Sequence, residues 1–211
     1  MLDNITVFHS SIRIAGEKVV YFDPYKIDND YHDASVIFIT HEHYDHFSEE
    51  DIAKVIKEDS IIVAPLSMKN SLDNYSKQGI KVIFIEPNEE CYIEELNLRF
   101  KTIPAYNIGK RFHPKENNWV GYVVTINDVT YYVAGDTDVT DEARQVKCDV
   151  ALIPCGGTYT MDTKEAATLT NCIHPKYAIP THYGSVVGSM QDGNIYASML
   201  DSDITCVIKI V

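Results

Sequence analysis

Ser35-Val36-Ile37-Phe38-Ile39 runs straight into Thr40-His41-Glu42-His43-Tyr44-Asp45-His46, and this stretch carries the strongest signal in the chain. Its first part is a continuous apolar run, the pattern of a strand buried on both faces. Its second part sets four metal-binding side chains within six residues, just where that strand ends. His41 and His43 stand two apart, so both rings can face one ion from a loop leaving the strand. Asp45 and His46 turn another way and can serve a second ion. Imidazole with carboxylate suits zinc first, with manganese or iron(II) as alternatives.

Working outward, Ser48 has the character of a helix N-cap. Glu49, Glu50 and Asp51 fill the first turn, and Ile52, Val55 and Ile56 form an apolar stripe. Upstream, residues 5–8, 12–14 and 19–22 read as short strands, with Ala15-Gly16-Glu17 as a hairpin connection. Downstream, a strand at 61–64, a helix at 67–77 and a strand at 81–85 are expected. A second set of strands follows at 98–103, 120–126 and 129–133, the last two joined by a tight turn at Asn127-Asp128. Then come a buried strand at 150–153, a helix from Asp162 with Glu165 at capping-box spacing, and a strand at 177–180. A helix near 188–200 and a strand at 205–211 close the chain. Both halves are rich in strands, both collect helices, and no glycine- or serine-rich linker divides them. The expected class is α+β: two packed sheets with helices outside, in one domain over residues 1–211.

Two more strand ends carry ligand-type residues. Tyr131-Tyr132-Val133-Ala134-Gly135-Asp136-Thr137 delivers an aspartate past a glycine, which lets the backbone turn sharply. Alone, Gly-Asp-Thr also fits a helix cap or an Asx-turn. Ala178-Ile179-Pro180-Thr181-His182-Tyr183-Gly184 ends a strand in a histidine. A lone histidine there is ordinarily a structural hydrogen-bonder, but its match to the other two strand ends favours a ligand.

Taken together, H-x-H-x-D-H, Gly-Asp-Thr and the strand-terminal Thr-His-Tyr-Gly resemble the metallo-β-lactamase superfamily. Phe8-His9-Ser10-Ser11 and Tyr21-Phe22-Asp23-Pro24 resemble the opening of its ascorbate-6-phosphate lactonase-like branch. Ile103-Pro104-Ala105-Tyr106-Asn107 and Asn118-Trp119-Val120-Gly121-Tyr122 are similar to that branch too. The resemblance implies a four-layer αββα sandwich of two mixed sheets, with two divalent metal ions at its edge. It implies that His41 and His43 bind one ion with a third histidine, that Asp45, His46 and His182 bind the other, and that Asp136 bridges both. For the third histidine's place the sequence offers His113 or Asn107. His113 is preferred, since imidazole outranks an amide for such metals.

Around these ligands, His9 is assigned a hydrogen-bonding role with Asp23 as its partner, with metal ligation as the alternative. Asp45 is the candidate to orient the nucleophile or take its proton. Gly156-Gly157-Thr158-Tyr159-Thr160 is the candidate oxyanion loop, for its free backbone N–H groups, although a plain glycine-rich turn reads equally well. His32 is expected to be solvated, His174 to sit at a helix C-terminus, and Cys155 to be a small buried hydrophobe.

Acidic residues outnumber basic ones, 31 to 18, leaving a formal charge of −13. That charge repels phosphate backbones and argues against nucleic acid as a partner. Five widely spaced cysteines without a CxxC pair fit a reducing compartment. With neither a signal peptide nor a membrane-length apolar run, the expected location is the cytoplasm. The expected function is hydrolysis of a small ester, lactone or phosphoester by a metal-activated hydroxide, with room left for a homo-oligomer. The alternatives are a phosphodiesterase or nuclease on nucleic acid, for which residues 110–115 supply a short basic cluster, and a non-catalytic metal or small-molecule sensor.

Overall fold

In the computed structural model, which describes residues 2–210, Val36 and Phe38 face the space between two sheets while Ile37 and Ile39 face outward against helices. The apolar run is covered on both sides, as its pattern requires. It belongs to a sheet built in chain order from β1 (Ile5–Phe8), β2 (Ser11–Ile14), β3 (Val19–Phe22), β4 (Ala34–Phe38), β5 (Ile61–Pro65) and β6 (Lys81–Ile85). Strands β1 to β3 pair antiparallel and β3 to β6 parallel.

The second sheet holds β7 (Glu90–Ile93), β8 (Leu98–Pro104), β9 (Val120–Ile126), β10 (Val129–Val133), β11 (Val150–Pro154), β12 (Tyr177–Thr181) and β13 (Thr205–Cys206), again in chain order. It is antiparallel as far as β10 and parallel beyond. Helices α1 (Glu49–Val55) and α2 (Asp73–Lys77) pack on the outside of the first sheet. Helices α3 (Asp141–Arg144), α4 (Thr163–Ile173) and α5 (Asp192–Ala197) cover the second. The result is the expected αββα sandwich of two mixed sheets.

Between the sheets the Phe38 ring lies 5.0 Å from Phe22, 5.2 Å from Phe100 and 4.9 Å from Tyr122. Tyr122, fully buried, donates its hydroxyl to the Ile39 carbonyl at 2.7 Å. This bond ties the second sheet to the residue from which the histidine loop departs. Removing so buried a ring, as in Phe38→Ala, costs about 3–5 kcal/mol.

Local signals held where a side chain answers a backbone group. Ser48 accepts from the Asp51 N–H, and Asp162 and Glu165 form the full capping box. Asn127 and Asp128 both adopt left-handed backbone, as their tight turn demands. The helix expected at 67–77 is instead a 3-10 turn (Leu66–Met68) followed by the short α2. Met68 and Leu72 are buried at helical spacing, but Asn70 and Ser71 between them lie in turn conformation. The helix expected near 188–200 narrows to α5, because Gly188 is left-handed and Ser189 folds onto the Asp192 carboxylate. The last strand is only β13, and Val211 lies outside the described residues. Strand β7 was not anticipated.

Candidate metal centre

The site forms where strands of both sheets end at one edge. β4 leads to residues 40–46, β10 to Asp136, β12 to His182, β1 to His9 and β3 to Asp23, while His113 comes from the loop after β8. Gly135 is left-handed (φ 65°), and a Cβ there would crowd the Thr40 side chain at 3.1 Å. Glycine thus lets the Asp136 turn close onto the histidine loop.

Two adjacent clusters result. In one, His41 Nε2 lies 3.2 Å from His43 Nδ1 and 3.3 Å from His113 Nε2, and His113 Nε2 lies 3.3 Å from Asp136 Oδ2. In the other, Asp136 Oδ1 is 3.2 Å from His46 Nε2 and 3.3 Å from His182 Nε2. Asp45 Oδ2 lies 3.4 Å from His182 Nε2 and 3.8 Å from His46 Nε2. Asp136 therefore turns one oxygen to each cluster. Among the described residues, His46 Nε2, His182 Nε2 and Asp136 Oδ1 are buried without a hydrogen-bond partner. Such atoms are costly unless something shared satisfies them, and a divalent cation fits this nitrogen and oxygen set.

A supporting layer aims the rings. Asp23 accepts from the Thr40 N–H at 2.8 Å and from the Thr40 hydroxyl at 2.6 Å, and its Oδ2 lies 2.7 Å from His46 Nδ1. Thr40 Oγ1 in turn lies 2.9 Å from His41 Nδ1. Asp23 thus orients His46 directly and His41 through Thr40, turning both Nε2 atoms toward the clusters. Asn107 does the same for His113: its Oδ1 accepts the His113 N–H at 3.2 Å and lies 3.3 Å from the ring Nδ1. So His113 points inward while Asn107 stands behind it.

Asp138, which drew no notice in the sequence, holds this loop. Its carboxylate accepts from Asn107 Nδ2 (3.2 Å), the Ile108 N–H (2.7 Å) and Lys110 Nζ (2.6 Å). Thr40 and Lys110 were likewise missed.

The structure corrects two expectations. His9 pairs with Asp45, at 3.3 Å from Nε2 to Oδ2, and not with Asp23, which His46 and Thr40 occupy. Its ring also packs 4.1 Å from that of His182. In the proposed oxyanion loop, the N–H groups of Gly157, Tyr159 and Thr160 bond within the loop itself. The carbonyls of Tyr159 and Thr160 accept from Asn107 and Lys110. That loop braces the His113 segment, and neither Gly157 nor Tyr159 offers a free donor.

Elsewhere, Cys155 is buried as expected and all five cysteines are free. His174 caps α4 in left-handed conformation and pairs with Asp203. His32 is exposed, with its ring Nδ1 3.0 Å from the Ile56 carbonyl.

The clusters differ in charge. Burial alone would raise Asp136, but His182 and His46 pull it well below the usual carboxylate range. Burial likewise opposes ionisation of Asp45, and the adjoining His182 and His9 rings reverse that. Burial lowers His46 and His182 too, yet Asp136 outweighs it, lifting His46 well above its ordinary value and His182 up to about 9. For His41, His43 and His113 burial wins, taking His113 down to about 4. In one cluster burial favours neutral imidazoles; in the other the carboxylates favour the charged rings.

Comparison with known proteins gives the family and the fold. The chain is 30% identical over 190 residues to a UPF0173 metal-dependent hydrolase of Thermococcus onnurineus, covering 84% of this chain and 82% of that one. Among solved structures, a protein of Parabacteroides distasonis superposes with a TM-score of 0.81 at 26% identity, covering 98% of this chain and 93% of its own. A metallo hydrolase of Ignicoccus hospitalis shares the fold at a TM-score of 0.80 and 20% identity, with 98% and 94% coverage. Among the described residues no helix is long and apolar enough to cross a membrane. Residues 9–183 match the family described as the beta-lactamase superfamily domain, a span that takes in every candidate ligand. The chain belongs to that superfamily, in its metallo-β-lactamase form.

Proposed function

We propose that residues 1–211 act as one metal-dependent hydrolase on a small ester, lactone or phosphoester. One observation carries the reading: side chains from both sheets come together in groups close enough to share an ion, namely His41, His43 and His113, then His41, His46 and Asp136, then His9, Asp45 and His182. His41, His43 and His113 would hold one divalent cation, Asp45, His46 and His182 the other, and Asp136 would serve both. Zinc suits this set first, then manganese or iron(II). Bound cations supply Lewis acidity and a nucleophile at neutral pH.

The chain's own groups do the positioning. Asp45, held low by His182 and His9, stays a carboxylate at working pH. It is therefore better fitted to orient a nucleophile than to store a proton. Asp23 and Asn107 keep the ring nitrogens in the ligating tautomer.

Two rivals lose support. A sensor is favoured by a gap at the middle ligand, and the approach of His113 Nε2 to within 3.3 Å of His41 Nε2 supports a complete set instead. A nuclease needs a basic groove, and in the 110–115 cluster Lys110 is engaged by Asp138 and Lys115 by Glu142, which leaves Arg111, over the Phe112 ring, as its one cation without an acidic partner among the described residues. Metal analysis of the purified protein, followed by a panel of lactone, phosphodiester and thioester substrates, tests the proposal. Two equivalents of metal with turnover of one class is the expected result. A filled centre that turns over nothing would point back to the sensor.

A further inference from the structure

Of the seven candidate ligands, His43 alone is partly exposed. A substrate therefore meets the centre over His43. Behind the centre, the cavity lined by Ser10, Asp23, His46, Asp136 and His182 amounts to about 10 Å³, the lower limit for one water. Nothing of substrate size fits beneath, so the residues around the opening must hold it.

Exposed apolar side chains adjoin the opening, interleaved with two cations, Arg111 over the Phe112 ring at 5.8 Å and Lys26 over the Tyr25 ring at 5.4 Å. Tyr44, next to His43, is 65% exposed, and its ring lies 6.1 Å from Tyr25. Phe112, next to His113, is 36% exposed and meets Tyr159 edge-on at 4.7 Å. Ile108, next to Asn107, is 60% exposed. The His43 and His113 rings lie 4.8 Å apart, so their chain neighbours Tyr44 and Phe112 adjoin the same part of the centre. Scattered exposed apolar residues are ordinary, but a group of them around a reactive centre marks a binding surface.

We propose that this rim binds an alkyl or aryl arm of the substrate, with Tyr44 and Phe112 setting the preference for its length. The inference rests on the hydrolase reading of the same centre. It narrows that reading toward substrates that carry an apolar arm.

The single tryptophan of the chain, Trp119, is a built-in reporter, with its ring 4.9 Å from both His41 and His43. Zinc-loaded protein is titrated with acetohydroxamate and with octanohydroxamate, following Trp119 fluorescence. The hydroxamate group addresses the cation and the chain probes the rim. Burial of part of the longer chain should make octanohydroxamate bind at least about tenfold more tightly. Tyr44→Ser and Phe112→Ser should each shrink that ratio, and together abolish it. Both residues are exposed, so the variants should fold. The kcat/KM ratio for p-nitrophenyl octanoate over acetate should follow the same trend. Equal binding of the two probes, or a ratio untouched by the variants, overturns the rim. A chain-length preference in binding without turnover of any ester overturns the hydrolase reading alone. Failure of both probes to bind overturns both.

Discussion

His113 Nδ1 sits 3.3 Å from the side-chain oxygen of Asn107, and the same oxygen accepts the His113 backbone N–H. One amide thus sets both the tautomer and the direction of the ring. His113→Ala should remove one equivalent of zinc, measured by native mass spectrometry. Asn107→Ala should keep both equivalents but bind the first about 10–100-fold more weakly. The reverse order of effects would make the amide the ligand.

Asp23 should govern the other cluster. Asp23→Asn places an N–H where His46 Nδ1 needs an acceptor, favouring the tautomer whose Nε2 carries a proton. The second cation should then bind about 10–100-fold more weakly, while the His41–His43–His113 cluster still fills. Cobalt titration read by visible absorption separates the two steps. Two unchanged steps would show that Asp23 does not act through His46.

Proton release offers a third test. His182, lifted to about 9 chiefly by Asp136 against burial, carries a proton at neutral pH in metal-free protein, and His46 is raised likewise. A ligating nitrogen must be bare, so zinc binding near neutral pH should release about one to two protons. Because these pKa values are raised, metal affinity should climb with pH until about 9 and then level off. Calorimetry in buffers of different ionisation enthalpy counts the protons. No buffer dependence would mean that both rings are already neutral.

Gly156 and Gly157 should respond differently to alanine. A Cβ on Gly156 collides with the backbone carbonyl of His182, whereas Gly157 opens onto free space with φ 72°. Gly156→Ala should cost about 1–3 kcal/mol, lowering Tm by about 2–4 °C for each kcal/mol. It should also weaken the second cation. Gly157→Ala should cost only about 1–2 kcal/mol for its left-handed backbone and leave both cations bound. Equal effects on metal content would count against a link from Gly156 to His182.

Much of this was legible because buried strands write their own pattern. In β11, Val150 and Leu152 face the inter-sheet core while Ala151 and Ile153 face α4. Strand β7 escaped because Glu-Cys-Tyr-Ile at an edge has no apolar period to detect. The same divide runs through the site. The candidate ligands sit at strand ends, so local sequence announces them. Which partner stands behind each ring depends on loops folding back, as Asn107 does onto His113 and His9 onto Asp45. No spacing encodes that. Asp138 left only a faint trace, a second aspartate two places after Asp136.

The candidate ligands run from residue 41 to residue 182 and are drawn from both sheets. No early fragment of the chain can assemble them, since each cluster needs Asp136 from the second sheet beside the histidine loop of the first. Closing loops of that length without the inter-sheet core would consume more entropy than a few coordinate bonds return. Metal capture therefore comes last in the order of folding. A ribosome-bound chain that has not yet released β12 should be indifferent to zinc, and metal uptake should mark the moment the sandwich closes.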